Sequence, residues 1–289
     1  MFRALAVVAL LSTQLLSAAD LEPHYFGHGN SNTPTSFGVR MLINRADIAS
    51  MDNLYANVQY APLSDSKNLQ VTQTQKVVIT KLLIKGKKHL GMEVKGLRET
   101  TVYRARLNLY RRTGSSESVH VASSPFYYTT TTGTDPKSLV RNRMLLIGFN
   151  EFYLGGSGAN KVSGTKYGAD VGEKWCSEFY SYVAHRGGLK GIMNLGSFNK
   201  LIEYFRVGLG LHNRSAIPTL ARRGDYLAMD TDLVDGTNHS GMFLAFEKAT
   251  DGEFVWTLEG NSGGSKILVH RRPYNKVFTH LGHIMKGQF

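Results

Sequence analysis

In the run TTTTGTDP, residues 129–136, the hydrophobic period of the chain changes, and any fold must accommodate both sides of that change. Before it, apolar residues alternate with polar ones in the short segments 37–43, 54–60, 76–84, 89–94, 102–110 and 119–128. These are rich in Val, Ile, Tyr and Leu and are separated by Gly, Asn, Ser or Pro. A period of two points every second side chain at one face, so the segments read as strands, and several at this spacing imply a β-sandwich. After the change, Asp135 stands where a helix cap belongs and Pro136 where a first helical residue belongs. Leu139, Leu146, Phe149 and Tyr153 then mark one helical stripe, until Gly155 and Gly156 stop it. The expected fold is an all-β sandwich followed by an α+β domain in which helices pack on an antiparallel sheet. The expected organisation is a leader over 1–19, the sandwich over 20–131, a linker over 132–137 and the α+β domain over 138–289.

The leader is read from MFRALAVVALLSTQLLSAAD, in which Arg3 precedes an apolar run and Ser17 and Ala19 supply small residues before a cut. The run is shorter than the roughly twenty residues that span a bilayer. No later stretch is long enough, so no stable membrane insertion is expected. The protein is expected to be secreted, periplasmic or at the cell surface. Its 42% hydrophobic and 19% charged residues exclude a disordered or collagen-like chain. The net charge of +12 is spread over both parts. Nucleic-acid binding would be its plainest meaning, but no RNP, helix-turn-helix or zinc pattern accompanies it, so no nucleic acid is expected as partner.

The chain has one cysteine, Cys176, which excludes an internal disulfide and a cysteine zinc cluster. In an exported protein an unpaired thiol is either inert in a core or kept for its reactivity. Its neighbours, WCSEFYSYVAHRGG, place Trp175, Phe179, Tyr182 and Val183 at helical spacing, with Gly187 and Gly188 as the stop. Cys176 therefore falls in the first turn, where free backbone N–H groups and the helix dipole favour a thiolate. A thiolate nucleophile needs a base and a group to orient that base. In NHSGMFLAFE, His239 begins a strand. The next strand, EFVWTLEGNSGG, ends in Glu259 and Asn261, which share a side if the pleat continues that far.

Taken together, WCSEF, GDYLAMD, NHSGMFL and TLEGNSGG, with ILVHRRPY following, resemble the CHAP domain (cysteine, histidine-dependent amidohydrolase/peptidase) of the papain-like NlpC/P60 superfamily. The resemblance covers roughly residues 141–284. It implies a papain-like fold with Cys176 as nucleophile, His239 as base, Glu259 and Asn261 as the orienting pair, and no cofactor. It also implies hydrolysis of peptidoglycan amide bonds, as an N-acetylmuramoyl-L-alanine amidase or a stem or cross-bridge endopeptidase. Two departures bear on subfamily and substrate: Arg223-Gly224-Asp225 stands where Pro-Gly-Asp is common, and Ser240 stands where an apolar residue follows the histidine. Upstream, residues 96–132 resemble the end of a fibronectin type III domain, including its tyrosine corner, with Leu97 six residues before Tyr103.

Other readings of the same site are a hydrolase of some other amide and an inactive surface-interaction protein; a monomer is expected. Tyr167, in the Gly-rich loop before the nucleophile, is either a substrate contact or loop packing. Trp175 and Trp256 are core anchors or groove lining. Lys85, Lys87 and Lys88 read as a solvated hairpin turn. Asp230, Asp232 and Asp235 with Gly236 resemble the start of a calcium loop but lack an acid at its twelfth position. His185, His270, His280 and His283 have no metal-like spacing, so no metal is expected.

Overall fold

The computed structural model describes residues 21–23, 32–43, 54–76, 78–84, 87–112, 118–124, 126–154, 163–193, 195–234, 236–285 and 287–288. The leader expected over 1–19, Lys85, Gly155, Gly156 and Asp235 lie outside them, as do the side chains of Lys87 and Lys88.

The strand-rich half holds β1 (Leu21–Pro23), β2 (Ser36–Ile43), β3 (Leu54–Pro62), β4 (Gln70–Val71), β5 (Gln75–Lys76), β6 (Val78–Ile84), β7 (Lys87–Lys95), β8 (Val102–Arg112), β9 (Ser118–Ser123) and β10 (Tyr127–Thr130). They form an antiparallel sheet β1-β2-β7-β6 and a second one built on β10-β8-β3-β4, with β5 beside β3 and β9 beside β8. Alternation explains how the sheets meet. Phe37, Val39, Met92 and Val94 of the first share one buried cluster with Leu54, Ala56, Val58, Ala105, Leu107 and Leu109 of the second. Tyr103 closes the corner: its hydroxyl accepts the Arg98 N–H at 3.0 Å, over a buried Leu97.

Two expected strands divide. The segment 76–84 is split because Lys76 ends β5, paired with β3 in the second sheet, while β6 pairs with β7 in the first. The segment 119–128 becomes β9 and β10, both paired with β8. Between them Leu107 exchanges bonds with Ser124, whose N–H donates to the Leu107 carbonyl while its Oγ accepts the Leu107 N–H. Pro125, next in the chain, has no N–H to give to a ladder.

The other half holds α1 (Pro136–Leu154), α2 (Cys176–Gly187), α3 (Phe198–Val207), β11 (Leu211–Asn213), α4 (Ile217–Leu220), β12 (Tyr226–Met229), β13 (His239–Ala249), β14 (Gly252–Ser262), β15 (Lys266–Pro273), α5 (Tyr274–Val277) and β16 (Phe278–Gly282). Its six strands form one antiparallel sheet in the order β11-β16-β12-β13-β14-β15. The central strands carry apolar residues on both faces. Tyr226, Met242, Leu244, Trp256 and Leu258 join the cluster under α1 and α2, whereas Leu227, Met229, Phe243 and Val255 join a second cluster with Ile217, Phe278 and Leu281.

α1 starts as its sequence requires, with Asp135 Oδ1 accepting the Ser138 N–H at 3.1 Å. Its buried stripe is rotated from the expected one. Val140, Met144, Leu145, Phe149 and Phe152 are buried, while Leu139 is exposed and Leu146 and Tyr153 are half-buried. Apolar residues occur on several faces of this helix, so tertiary contacts choose among them. One such contact is Gly148, whose missing Cβ leaves room for the Leu258 side chain.

The two halves are bonded together. Leu63 and Val102 belong to the same cluster as Phe149 and Phe179. Glu247 of β13, 1% exposed, accepts from the N–H and hydroxyl of Ser66, from Trp256 Nε1 and from Arg271 Nε. Arg223 reaches Thr130 and the Thr131 carbonyl. At the start of the 132–137 segment, Thr132 donates its N–H to Thr33 and accepts that of Thr100.

Candidate active site

α2 begins at Cys176 and ends where Gly188, at φ 109, takes the left-handed cap. The helix lies close on β14 because Gly260 has no side chain: a Cβ there would sit 2.5 Å from Phe179 Cβ and 2.8 Å from the Trp175 ring. β13 begins at His239, opposite Met229 of β12, and β14 carries Glu259 toward its end. A helix start, a strand start and a strand end therefore converge. Cys176 is 6% exposed and the His239 side chain 11%, so the pair is covered yet reachable.

His239 Nε2 lies 2.9 Å from Glu259 Oε2, which leaves Nδ1 for the thiol. Glu259 is fully buried and both its oxygens are taken. Oε1 accepts from Thr257 Oγ1 at 2.5 Å and Arg272 Nε at 2.6 Å, and Oε2 accepts from Arg272 Nη2 at 2.6 Å. Burial alone would push this carboxyl up. The Arg272 fork and His239 outweigh it and hold the group far below the usual carboxylate range.

The same competition shapes the other two members. Burial would push His239 down, but interaction with Cys176 and Glu259 raises it to about 9. Burial would push the Cys176 thiol up, but His239, the Ser240 backbone N–H and the Ser177 hydroxyl lower it below its ordinary value. Both shifts favour the pair as thiolate and imidazolium. Beneath it runs a buried hydroxyl chain, in which Ser240 Oγ is 2.9 Å from Ser177 Oγ and 3.1 Å from Tyr226 OH. Ser240, one of the two departures noted above, thus has a polar partner on each side.

The expected same-side placement of Glu259 and Asn261 required an unbroken pleat. The β14–β15 register shifts between Glu259 and Ser262, and Asn261 sits at φ 52, so the pleat is interrupted between the two. Glu259 holds the imidazole, and no hydrogen bond joins Asn261 to His239.

Of the two readings of three aromatic residues, their burial favours packing. Tyr167 is 4% exposed, stacks on Trp175 at 5.2 Å and donates its hydroxyl to Glu151 at 3.0 Å. Trp175 and Trp256 are buried too, the latter bonded to Glu247. The rings of Tyr167 and Trp175 pack on Phe179 of α2, and that of Trp256 faces Tyr128 of β10.

Three neighbours of the site, Arg272, Thr257 and Ser177, were not singled out by sequence, and His270 and Ser240 were named there without a role in it. His270 Nε2 bonds the Ser262 hydroxyl at 2.8 Å and stands 3.8 Å from Glu259. A period-two signal existed, since Thr257 pairs with His270, and Glu259 and Arg272 share their faces. The other departure, Arg223-Gly224-Asp225, places Asp225 in a buried pair with Arg141 at 2.5 Å and against His283 at 2.8 Å. Asp230 and Asp232 cap their own turn through the N–H groups of Leu233 and Val234. Among the described residues, no three His, Cys, Asp or Glu side chains gather as a metal would require.

No protein-family model matches this chain, and no curated protein matches it. Among solved structures it is similar to the sensor domain of an anti-sigma factor from Pseudobacteroides cellulosolvens, in a short form (TM-score 0.25, 13% identity, 39% of this chain and 94% of that one). A solution structure of the same sensor domain is also similar (TM-score 0.24, 12% identity, 38% and 73%). It is also similar to Astrotactin-2, a vertebrate-specific, perforin-like membrane protein, over 88% of this chain and 47% of that one (TM-score 0.26, 11% identity).

Proposed function

We propose that this protein is an exported cysteine hydrolase that cleaves amide bonds of bacterial peptidoglycan. In this reading a fibronectin III-like sandwich over 20–131 is followed by a CHAP-like, papain-like domain over 138–289, and Cys176, His239 and Glu259 carry the reaction. The observation that supports it most is the His239 to Glu259 bond of 2.9 Å behind a thiol at a helix start. The four ordered sequence motifs support the substrate class, and a net charge of +12 suits an anionic wall.

The chemistry follows from the charge states. The Cys176 thiolate attacks the amide carbonyl carbon, and the carbonyl electron pair moves to oxygen. The free backbone N–H of Cys176, at the positive end of α2, faces that developing charge. The carbon–nitrogen bond then breaks, and the His239 imidazolium gives its proton to the leaving amine, which leaves a thioester. Neutral His239 next takes a proton from water, whose oxygen attacks the thioester and releases a carboxylic acid and the thiolate. Glu259 keeps the imidazole in the tautomer that presents Nδ1 to sulfur. The catalytic steps call on no metal or cofactor.

Purified sacculi provide the test. The wild-type protein should release new amine termini, and mass analysis of the fragments identifies the bond cut. Cys176→Ala should lower the rate by about 10⁴-fold or more while leaving the fold unchanged. Retained hydrolysis in that variant would overturn the proposal.

A further inference from the structure

We infer that Arg272 is a fourth member of the site, a positioning residue that holds Glu259 as an oriented carboxylate and through it sustains the thiolate and imidazolium pair. The inference deepens the hydrolase reading and rests on it only for the rate measurement described below.

The geometry is specific. Arg272 presents Nε to Oε1 and Nη2 to Oε2, each at 2.6 Å, a two-pronged fork on a carboxylate of zero exposure. With Thr257 on Oε1 and His239 on Oε2, every partner of Glu259 lies in a fixed direction, and the oxygen that meets the imidazole cannot rotate away. The charge count leads to the same role. Cys176 thiolate, His239 imidazolium and Glu259 carboxylate together carry one net negative charge, which is costly in a covered site. Arg272 cancels it, and its side chain is 20% exposed, so most of its own charge faces the protein.

The other groups facing the site do not supply that cancelling charge. His270, on β15 with Arg272, is 3.8 Å from Glu259, but burial first, then Arg272 and His239, hold it toward the neutral form. Tyr226, on β12, is fully buried and pushed up by that burial, so it stays a neutral hydroxyl toward Cys176 and Ser240. Ser177 and Ser240 carry no charge. Removing Arg272 therefore makes the site's remaining negative charge harder to sustain, and the thiol is the member that gives way by keeping its proton.

The experiment follows the rate of Cys176 alkylation by iodoacetamide against pH, a readout that needs no substrate and survives failure of the peptidoglycan assignment. In Arg272→Met the acid limb of the profile should move up by about one pH unit or more. In Arg272→Lys, which keeps the charge and loses the fork, the limb should return most of the way. Hydrolysis by the Lys variant should still fall by about 10- to 100-fold in kcat, with KM little changed, because the carboxylate is no longer held in one plane. Circular dichroism checks that both variants are folded; if the Met variant is not, Arg272→Gln takes its place. An acid limb unmoved in a folded Met or Gln variant would overturn the inference, as would a Lys variant with full kcat.

Discussion

At Cys176 burial and interaction oppose each other, and interaction wins. The thiol is 6% exposed, which disfavours a thiolate, yet His239, the Ser240 N–H and Ser177 bring it below its ordinary value. His239 shows the mirror case, raised to about 9 against its own burial. The signs give a pH profile. Activity should rise as Cys176 loses its proton, hold through neutral pH, and fall as His239 loses the proton that the leaving amine needs, with an alkaline limb near 9. Replacing Glu259 by Gln removes the anion that raises His239, so that limb should move down toward neutral pH. The rate should drop by about 10²- to 10⁴-fold. A rate profile of the Gln variant superimposable on that of the wild type would refute this role.

At the scale of elements, the site depends on how closely α2 can approach β14. Gly260 sets that distance, since any Cβ there meets Phe179 Cβ at 2.5 Å and the Trp175 ring at 2.8 Å. Neither contact is the far end of a flexible chain alone: one is the stem of a fully buried Phe. Gly260→Ala should therefore cost about 1–3 kcal/mol in urea unfolding. It should also slow alkylation of Cys176, because the helix that carries the thiol moves from the strand that leads to Glu259. Unchanged stability and reactivity would mean that the strand absorbs the extra methyl. Glu259-Gly260-Asn261 is thus a structural and a chemical motif at once, with the glycine between the proton-orienting acid and the bend at Asn261.

The whole molecule is joined through buried polar groups as well as through its core. Glu247 lies 181 residues from its partner Ser66, and it also holds Trp256 and Arg271. Because Leu63 and Val102 share a cluster with Phe149 and Phe179, the two halves should unfold in one calorimetric transition. Glu247→Ala strands the Ser66 and Trp256 donors in a buried place. It should cost about 3 kcal/mol, less than a fully buried ion pair because Arg271 is 24% exposed. Two separate transitions in the wild type would show that the contacts between the halves are too weak to couple them.

What could be read directly from the amino acids was whatever depends on near neighbours. Period-two runs marked the strands, Asp135 and Pro136 opened α1, Gly187 and Gly188 closed α2, and Cys176, His239 and Glu259 stood out as three residues that the fold brings together. Such signals survive because capping, pleating and helical spacing act over a few residues. The stripe of α1, the division of the 119–128 strand, the bend at Asn261 and the Arg272 fork were decided only by tertiary structure. Each turns on a register shift, a missing Cβ or a long side chain reaching across strands. Periodicity says which face a residue occupies, and packing alone says what stands opposite it.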